Sequence, residues 1–319
     1  MIRLARTLFA TAVLVSTAAS AETFNYTITP HFFEENPGGQ PLGPCHGGAI
    51  IDKAGNIYIT TDTERGILVF SPQGKFIRAF GPTRIHSLQF REEDGVEYIY
   101  AARPADHEVL KLGLDGAILW TIHYPKESGI YKDEDGFKPC SVTVGPDGTI
   151  YVADGYGSNY VLIFDKDRKF VKAFGGPGTE EGKFTTCHGI ALDTRQGKPL
   201  LFICDRNNNR IEYWDLDGNF VKTIRKDLRM PAAIYIRGDY AVIPELQGRV
   251  TVLDKDGEIV AQLGDNPDTK QRANYGLPPD QWKDGICNSP HGAALDAQDN
   301  VIVTEWSKYG HLHFFTREK

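Results

Sequence analysis

Short apolar runs separated by polar turns rich in Gly, Asp and Asn recur along most of the chain. The clearest unit opens at His188. His188 to Leu192 is apolar after its first residue, Leu200 to Cys204 is apolar throughout, and Arg210 to Trp214 follows an arginine-bearing corner. Asp215-Leu216-Asp217-Gly218 is a turn signal, and Asn219 to Ile224 completes the unit. Runs of this length, bounded by turn residues and rich in β-branched and aromatic side chains, predict strands. Four antiparallel strands in roughly 40 residues match one propeller blade.

The same grammar repeats. First strands are predicted at Gly47 to Ile51, Ile85 to Phe90, Cys140 to Val144, His188 to Leu192, Ala232 to Ile236 and His291 to Leu295. Each leads through a turn to a second apolar run, such as Ile57-Tyr58-Ile59 or Val301-Ile302-Val303. Third and fourth strands follow in the spans Leu68 to Phe80, Val109 to Ile122, Val161 to Phe174, Ile211 to Ile224 and Val250 to Leu263. The last copy stops after His311 to Phe315, one strand short, while Phe24 to Ile28 alternates outside any complete copy. Pairing that first strand into the last blade closes a ring and removes the open sheet edges. The sequence therefore predicts an all-β fold, a six-bladed β-propeller of four-stranded antiparallel blades closed by the N-terminal strand. A sandwich with Greek-key links explains the even spacing less well. Longer inserts at 126–138, 176–186 and 265–285 join blades and are expected at the rim of a site.

Residues 1–21 read as a secretory signal, with Arg3 and Arg6 before the apolar stretch Leu8 to Val15 and a small-residue cleavage site at Ala19-Ser20-Ala21. Export to the periplasm or the extracellular space is expected, with no membrane attachment after cleavage, and 22–319 forms the propeller. The net charge of −7 becomes −9 without that segment, which carries two arginines and no acid. An acidic chain disfavours a nucleic-acid partner. Five cysteines, Cys45, Cys140, Cys187, Cys204 and Cys287, include no CxxC pattern. Export permits disulfides. Bridges Cys45–Cys287 and Cys140–Cys187 are expected between neighbouring blades, and Cys204, in an apolar run, as a buried small residue.

In a meandering blade, the start of strand one and the corner after strand two share a face. His86, His188 and His291 open first strands on alternate blades, two, four and six. Three imidazoles related by threefold symmetry about a channel suit zinc, with a position left for water or substrate. A lone channel histidine would ordinarily be a packing residue; matching positions on alternate blades argue against coincidence. The corners carry Arg65, Tyr156 and Arg206 on the same face. Each has an ordinary role too: solvation for Arg65, interblade packing for Tyr156, an ion pair for Arg206. His46 is out of step by one residue, counted back from Asp52 against His188 and Asp193, and is placed in the rim or second shell. His31, His107, His123, His311 and His313 are assigned surface or packing roles.

These residues resemble peptidyl-α-hydroxyglycine α-amidating lyase, within the NHL-repeat propellers. The resemblance covers most of the chain after residue 21. It rests on Ile85-His86-Ser87, Asp106-His107-Glu108-Val109-Leu110-Lys111-Leu112, Asp154-Gly155-Tyr156, Cys187-His188-Gly189, Asp205-Arg206 with Arg210, Ser289-Pro290-His291 and Arg65-Gly66. It implies zinc held by His86, His188 and His291, Tyr156 as base, Arg206 beside it and Arg65 for a substrate carboxylate. The implied reaction splits an N-acyl hemiaminal, such as a peptidyl-α-hydroxyglycine, into an amide and glyoxylate. The family's acid after the third histidine, associated with a structural calcium, is Gly292 here, which counts against calcium. The family's Asp-Gly-Tyr segment runs on to an arginine, where this chain has Tyr160, and the chain has no copper monooxygenase domain.

Two other readings stand beside the lyase acting on a small-molecule or peptide substrate. One is a non-catalytic NHL-repeat propeller that binds a protein or glycan at its rim. The other is a gluconolactonase-type hydrolase, whose metal is held mainly by carboxylate and amide oxygens; the three histidines speak against it.

Overall fold

The computed structural model describes residues 23–319, so the expected signal at 1–21 lies outside the described residues. The chain forms six four-stranded antiparallel sheets arranged as a six-bladed β-propeller. Blade four shows the pattern, with strands Cys187–Asp193, Leu200–Asp205, Arg210–Trp214 and Phe220–Ile224 in sequential order. Its last turn is built as its sequence requires: Asp215 Oδ1 accepts from the amides of Asp217 and Asn219, and Gly218 takes φ +75°. That left-handed backbone favours glycine.

The ring closes as the spacing predicts. Tyr26–Ile28 pairs antiparallel with Leu312–Arg317, placing Tyr26 opposite Arg317 and Ile28 opposite Phe315. The sixth blade is completed by Val301–Glu305 and Pro290–Leu295. Hydrophobic burial then follows the ring: six apolar clusters form, each shared by two neighbouring blades. Second and third strands are buried almost throughout because both their faces meet a neighbouring sheet.

Blade five departs from expectation at its first strand, which starts at Tyr235 rather than Ala232. The amide of Ala232 still reaches Pro244 O at 2.8 Å. Pro244 has no N–H to return, so the ladder begins only beyond it.

The two expected disulfides are absent. All five cysteines are free and buried. The thiols turn to local backbone instead: Cys45 Sγ lies 3.6 Å from Gly43 O and Cys187 Sγ 3.6 Å from Tyr160 O. Cys140 Sγ lies 3.9 Å from Lys138 O, and Cys287 packs beside Gly264. Cys204 is fully buried in the second strand of blade four.

Candidate functional site

First strands line the central channel, and their opening residues converge at one end of it. The rings of His86, His188 and His291 stand 4.7–4.9 Å apart, centroid to centroid. Their orientation is fixed by the neighbouring blade. His86 Nδ1 is 2.7 Å from Cys140 O, at the start of blade three. His188 Nδ1 is 2.5 Å from Ala232 O, at the start of blade five. His291 is hydrogen-bonded to the backbone of Gly47, at the start of blade one. Because a carbonyl only accepts, Nδ1 of His86 and of His188 carries the proton and donates, which leaves Nε2 with its lone pair.

Glycine allows this convergence. A Cβ at Gly189 would lie 2.7 Å from Ala233 Cα, and one at Gly292 would lie 2.6 Å from Thr304 Oγ1 and 2.7 Å from Gly48 Cα. Strand ladders slip at Cys187/Ile190 and Pro290/Gly292, so His188 and His291 sit on β-bulges that aim side chains off the regular alternation.

All three histidines are neutral at physiological pH. Burial is the largest cause, pushing each well below the ordinary imidazole value, and neighbouring imidazoles and the Arg206 cation add to it.

Tyr156 joins the cluster from the corner of blade three. Its phenol oxygen is 2.9 Å from His188 Nε2, 3.2 Å from His86 Nε2 and 3.1 Å from Arg206 NH1, which donates to it. Asp154 shapes this corner: it is buried and accepts from the amides of Lys138 and Ser158 and from the hydroxyls of Ser158 and Tyr131. Burial raises the phenol to about 12, the Cys140 thiol adds to the rise, and Arg206 opposes it. The Arg206 guanidinium also lies 5.3 Å over the Tyr156 ring.

The donor count at this point is uneven. One phenol proton faces two lone pairs, on His86 and His188, and His291 Nε2 is buried with no partner. Neutral, carbonyl-oriented imidazoles with surplus nitrogen lone pairs fit a divalent metal of the zinc class. Gly292 does not fit a calcium ligand: it offers no side-chain oxygen, and its flanks are filled by Thr304 and the backbone of blade one.

His46, read from the sequence as rim or second shell, stands against the cluster itself. Its ring is 4.8 Å from that of His86 and 4.9 Å from that of His291, and ligand atoms of the three lie within 4.8 Å of one another. Counting back from the turn missed it because the His-to-Asp spacing is one residue longer in blade one. The shared dipeptide His46-Gly47, His188-Gly189, His291-Gly292 was the signal that could have found it. Trp306 and, through it, Tyr275 from the 265–285 insert continue this wall.

The Arg65 side chain is engaged by backbone carbonyls. Its guanidinium donates to the carbonyls of Pro37, Pro41 and Leu42, at 2.6–2.8 Å, and so clamps the segment leading into blade one. Arg210 is likewise structural: fully buried, it pairs with Asp205 and Glu212 at 2.7 and 3.0 Å and holds carbonyls of the insert before blade four. On the far side of the histidines from Tyr156 the channel opens into a cavity of about 310 Å³, whose lining includes Gln89, Arg91 and Tyr235.

Comparisons with known proteins agree with this fold. Residues 141–259 match a family described as "6-bladed beta-propeller". Peptidyl-glycine alpha-amidating monooxygenase A of Xenopus laevis is 32% identical over 94 residues, which is 28% of this chain and 10% of that protein. Among solved structures, a streptogramin B lyase superposes with a TM-score of 0.60 at 16% identity, covering 94% of this chain and 100% of that one. Virginiamycin B lyase from Staphylococcus aureus gives 0.56 at 19% identity, covering 92% and 88%. At these identities the structural likeness is one of fold.

Proposed function

We propose that the protein is a metal-dependent carbon–nitrogen lyase that cleaves a peptidyl-α-hydroxyglycine or a related N-acyl hemiaminal to an amide and glyoxylate. The observation that carries this reading is the meeting of three neutral, carbonyl-oriented imidazoles with the Tyr156 phenol and the Arg206 guanidinium. The short match to the amidating enzyme of Xenopus laevis supports it.

His86, His188 and His291 would hold zinc through Nε2, with His46 close enough to serve beside them. A zinc ion there would supply Lewis acidity toward the substrate hydroxyl. Tyr156 is the base in this scheme: it takes the hydroxyl proton as the carbonyl of glyoxylate forms and the C–N bond breaks. The amide nitrogen leaves with the bond's electron pair and is then protonated. With Arg206 beside it the phenol still stands at about 12 and is almost wholly protonated at neutral pH, so a metal charge would be needed to lower it further. Arg65, committed to three carbonyls, is left out of the reacting set. Export, expected from residues 1–21, belongs to the same proposal.

The test is metal titration of His188→Ala. Zinc occupancy and activity should fall together. A variant that keeps the same number of zinc equivalents as the wild type, at wild-type affinity, would remove the histidines from the reading.

A further inference from the structure

Blades four and five build the corner after their second strand from the same parts, and blade three shares the first two of them. A buried acid ends that strand: Asp154, Asp205 or Glu245. It accepts the amide of Lys138, Thr185 or Arg229, and the residue before each of these amides is a buried apolar one, Phe137, Phe184 or Leu228. In blades four and five an arginine opposite the acid supplies the balancing charge, Arg210 for Asp205 and Arg249 for Glu245. Two residues further along stand Glu212 and Thr251.

Blade six keeps the acid, Glu305, and its amide, from Asn288 at 2.6 Å, but replaces the other three parts. The apolar position is Cys287, the arginine position is His311, and the position two further on is His313. His311 accepts the Glu305 amide through its own carbonyl, which fixes the register. Three separate positions have changed together, each to a residue type that binds metals.

The side chains meet. Ligand atoms of Cys287, Glu305 and His313 lie within 4.8 Å of one another, and all three residues are buried. His313 Nε2 is 2.9 Å from Glu305 Oε1. His311 Nδ1 is 3.4 Å from Glu305 Oε2, and this buried atom has no hydrogen-bond partner. Trp282 stacks on the His311 ring at 4.0 Å and 5°, holding it against His313.

Charge then selects the occupant. Without an arginine, a buried carboxylate lacks the permanent cation that blades four and five provide. A divalent ion with one thiolate, one carboxylate and two neutral imidazoles is electrically balanced, and four protein ligands make a closed site of the structural kind. We propose that Cys287, Glu305, His311 and His313 form a second metal site for a borderline-soft divalent ion such as zinc. The site is separate from the channel histidines. It clips the 265–285 insert to the blade that closes the ring.

Cobalt distinguishes this site from the channel, since only a thiolate ligand gives cobalt(II) a strong near-ultraviolet charge-transfer absorption. The intact protein, expressed in zinc-depleted, cobalt-supplemented medium, should show that band. Cys287→Ser should lose it and one equivalent of metal, while imidazole-type ligand-field absorption remains. His313→Gln, which keeps an amide donor toward Glu305, should weaken the band as well. Absence of the band in cobalt-loaded wild type, or its persistence in Cys287→Ser, overturns the site, leaving a carboxylate–histidine pair without metal. The band depends on no channel residue, so this result and the fate of the proposed lyase reaction are read independently.

Discussion

The Tyr156 phenol oxygen lies 2.9 Å from His188 Nε2 while accepting a hydrogen bond from Arg206 NH1 at 3.1 Å. Two blades thus aim a base candidate and a cation at one imidazole of the channel. Tyr156→Phe keeps the ring and its contacts with His86 and His188 but deletes this oxygen. Metal content and thermal midpoint should hold, while turnover falls about 10²–10⁴-fold, the usual weight of a general base. Elemental analysis beside an assay of glyoxylate release reads both.

Arg206 opposes the rise that burial imposes on Tyr156. Arg206→Ala should therefore lift the phenol further. If the tyrosinate is the base, the basic requirement of the rate profile moves to higher pH and the neutral-pH rate drops. A profile that keeps its wild-type position would detach Arg206 from the phenol.

His46 is held at about 4, chiefly by burial and then by the Arg206 charge. Its folded value is below its unfolded value of about 6.5. Its contribution to stability is therefore fully present above about pH 6.5 and lost as pH falls toward 4. In chelator-treated protein, His46→Asn should show a shallower loss of stability across that window, by at most roughly 1.4 kcal/mol per pH unit. Denaturant unfolding at several pH values measures the slope.

Arg210 is fully buried between Asp205 and Glu212. Arg210→Met strands two acids without their cation, and a loss of about 3–5 kcal/mol is expected. Denaturant unfolding, with metal content followed in parallel, would show whether the loss stays outside the channel.

Closure by Tyr26–Ile28 leaves no open edge on Leu312–Arg317. A chain beginning at Gly39 lacks that strand, so it should lose solubility or cooperative unfolding. A melt identical to that of the chain starting at residue 22 would contradict the closure.

The propeller was legible because each blade repeats its own strand and turn signals, and the missing sixth-blade strand was visible as an orphan at the other end of the chain. The three alternate-blade histidines were legible for the same reason. His46 escaped because β-bulges and a longer lead-in make residue counting unreliable by one, whereas position around the channel is set by packing. The carbonyl contacts of Arg65 were not legible because a corner arginine can turn to the channel or to nearby carbonyls, and the 37–42 segment that it binds has no repeat signature. Shared compartment and adjacent blades suggested cysteine bridges, but thiol direction is a property of local backbone. His311 and His313 looked incidental until their positions were compared with Arg210, Glu212, Arg249 and Thr251 in three dimensions.

The channel histidines and Tyr156 are proposed to carry out hemiaminal cleavage. Its most direct measurement is glyoxylate release from an α-hydroxyhippurate-like compound by protein carrying a defined amount of zinc. Release should rise in proportion to channel zinc, stop on chelation and return on zinc readdition. Wild-type protein that binds zinc at these histidines yet releases no glyoxylate from several such compounds would contradict it.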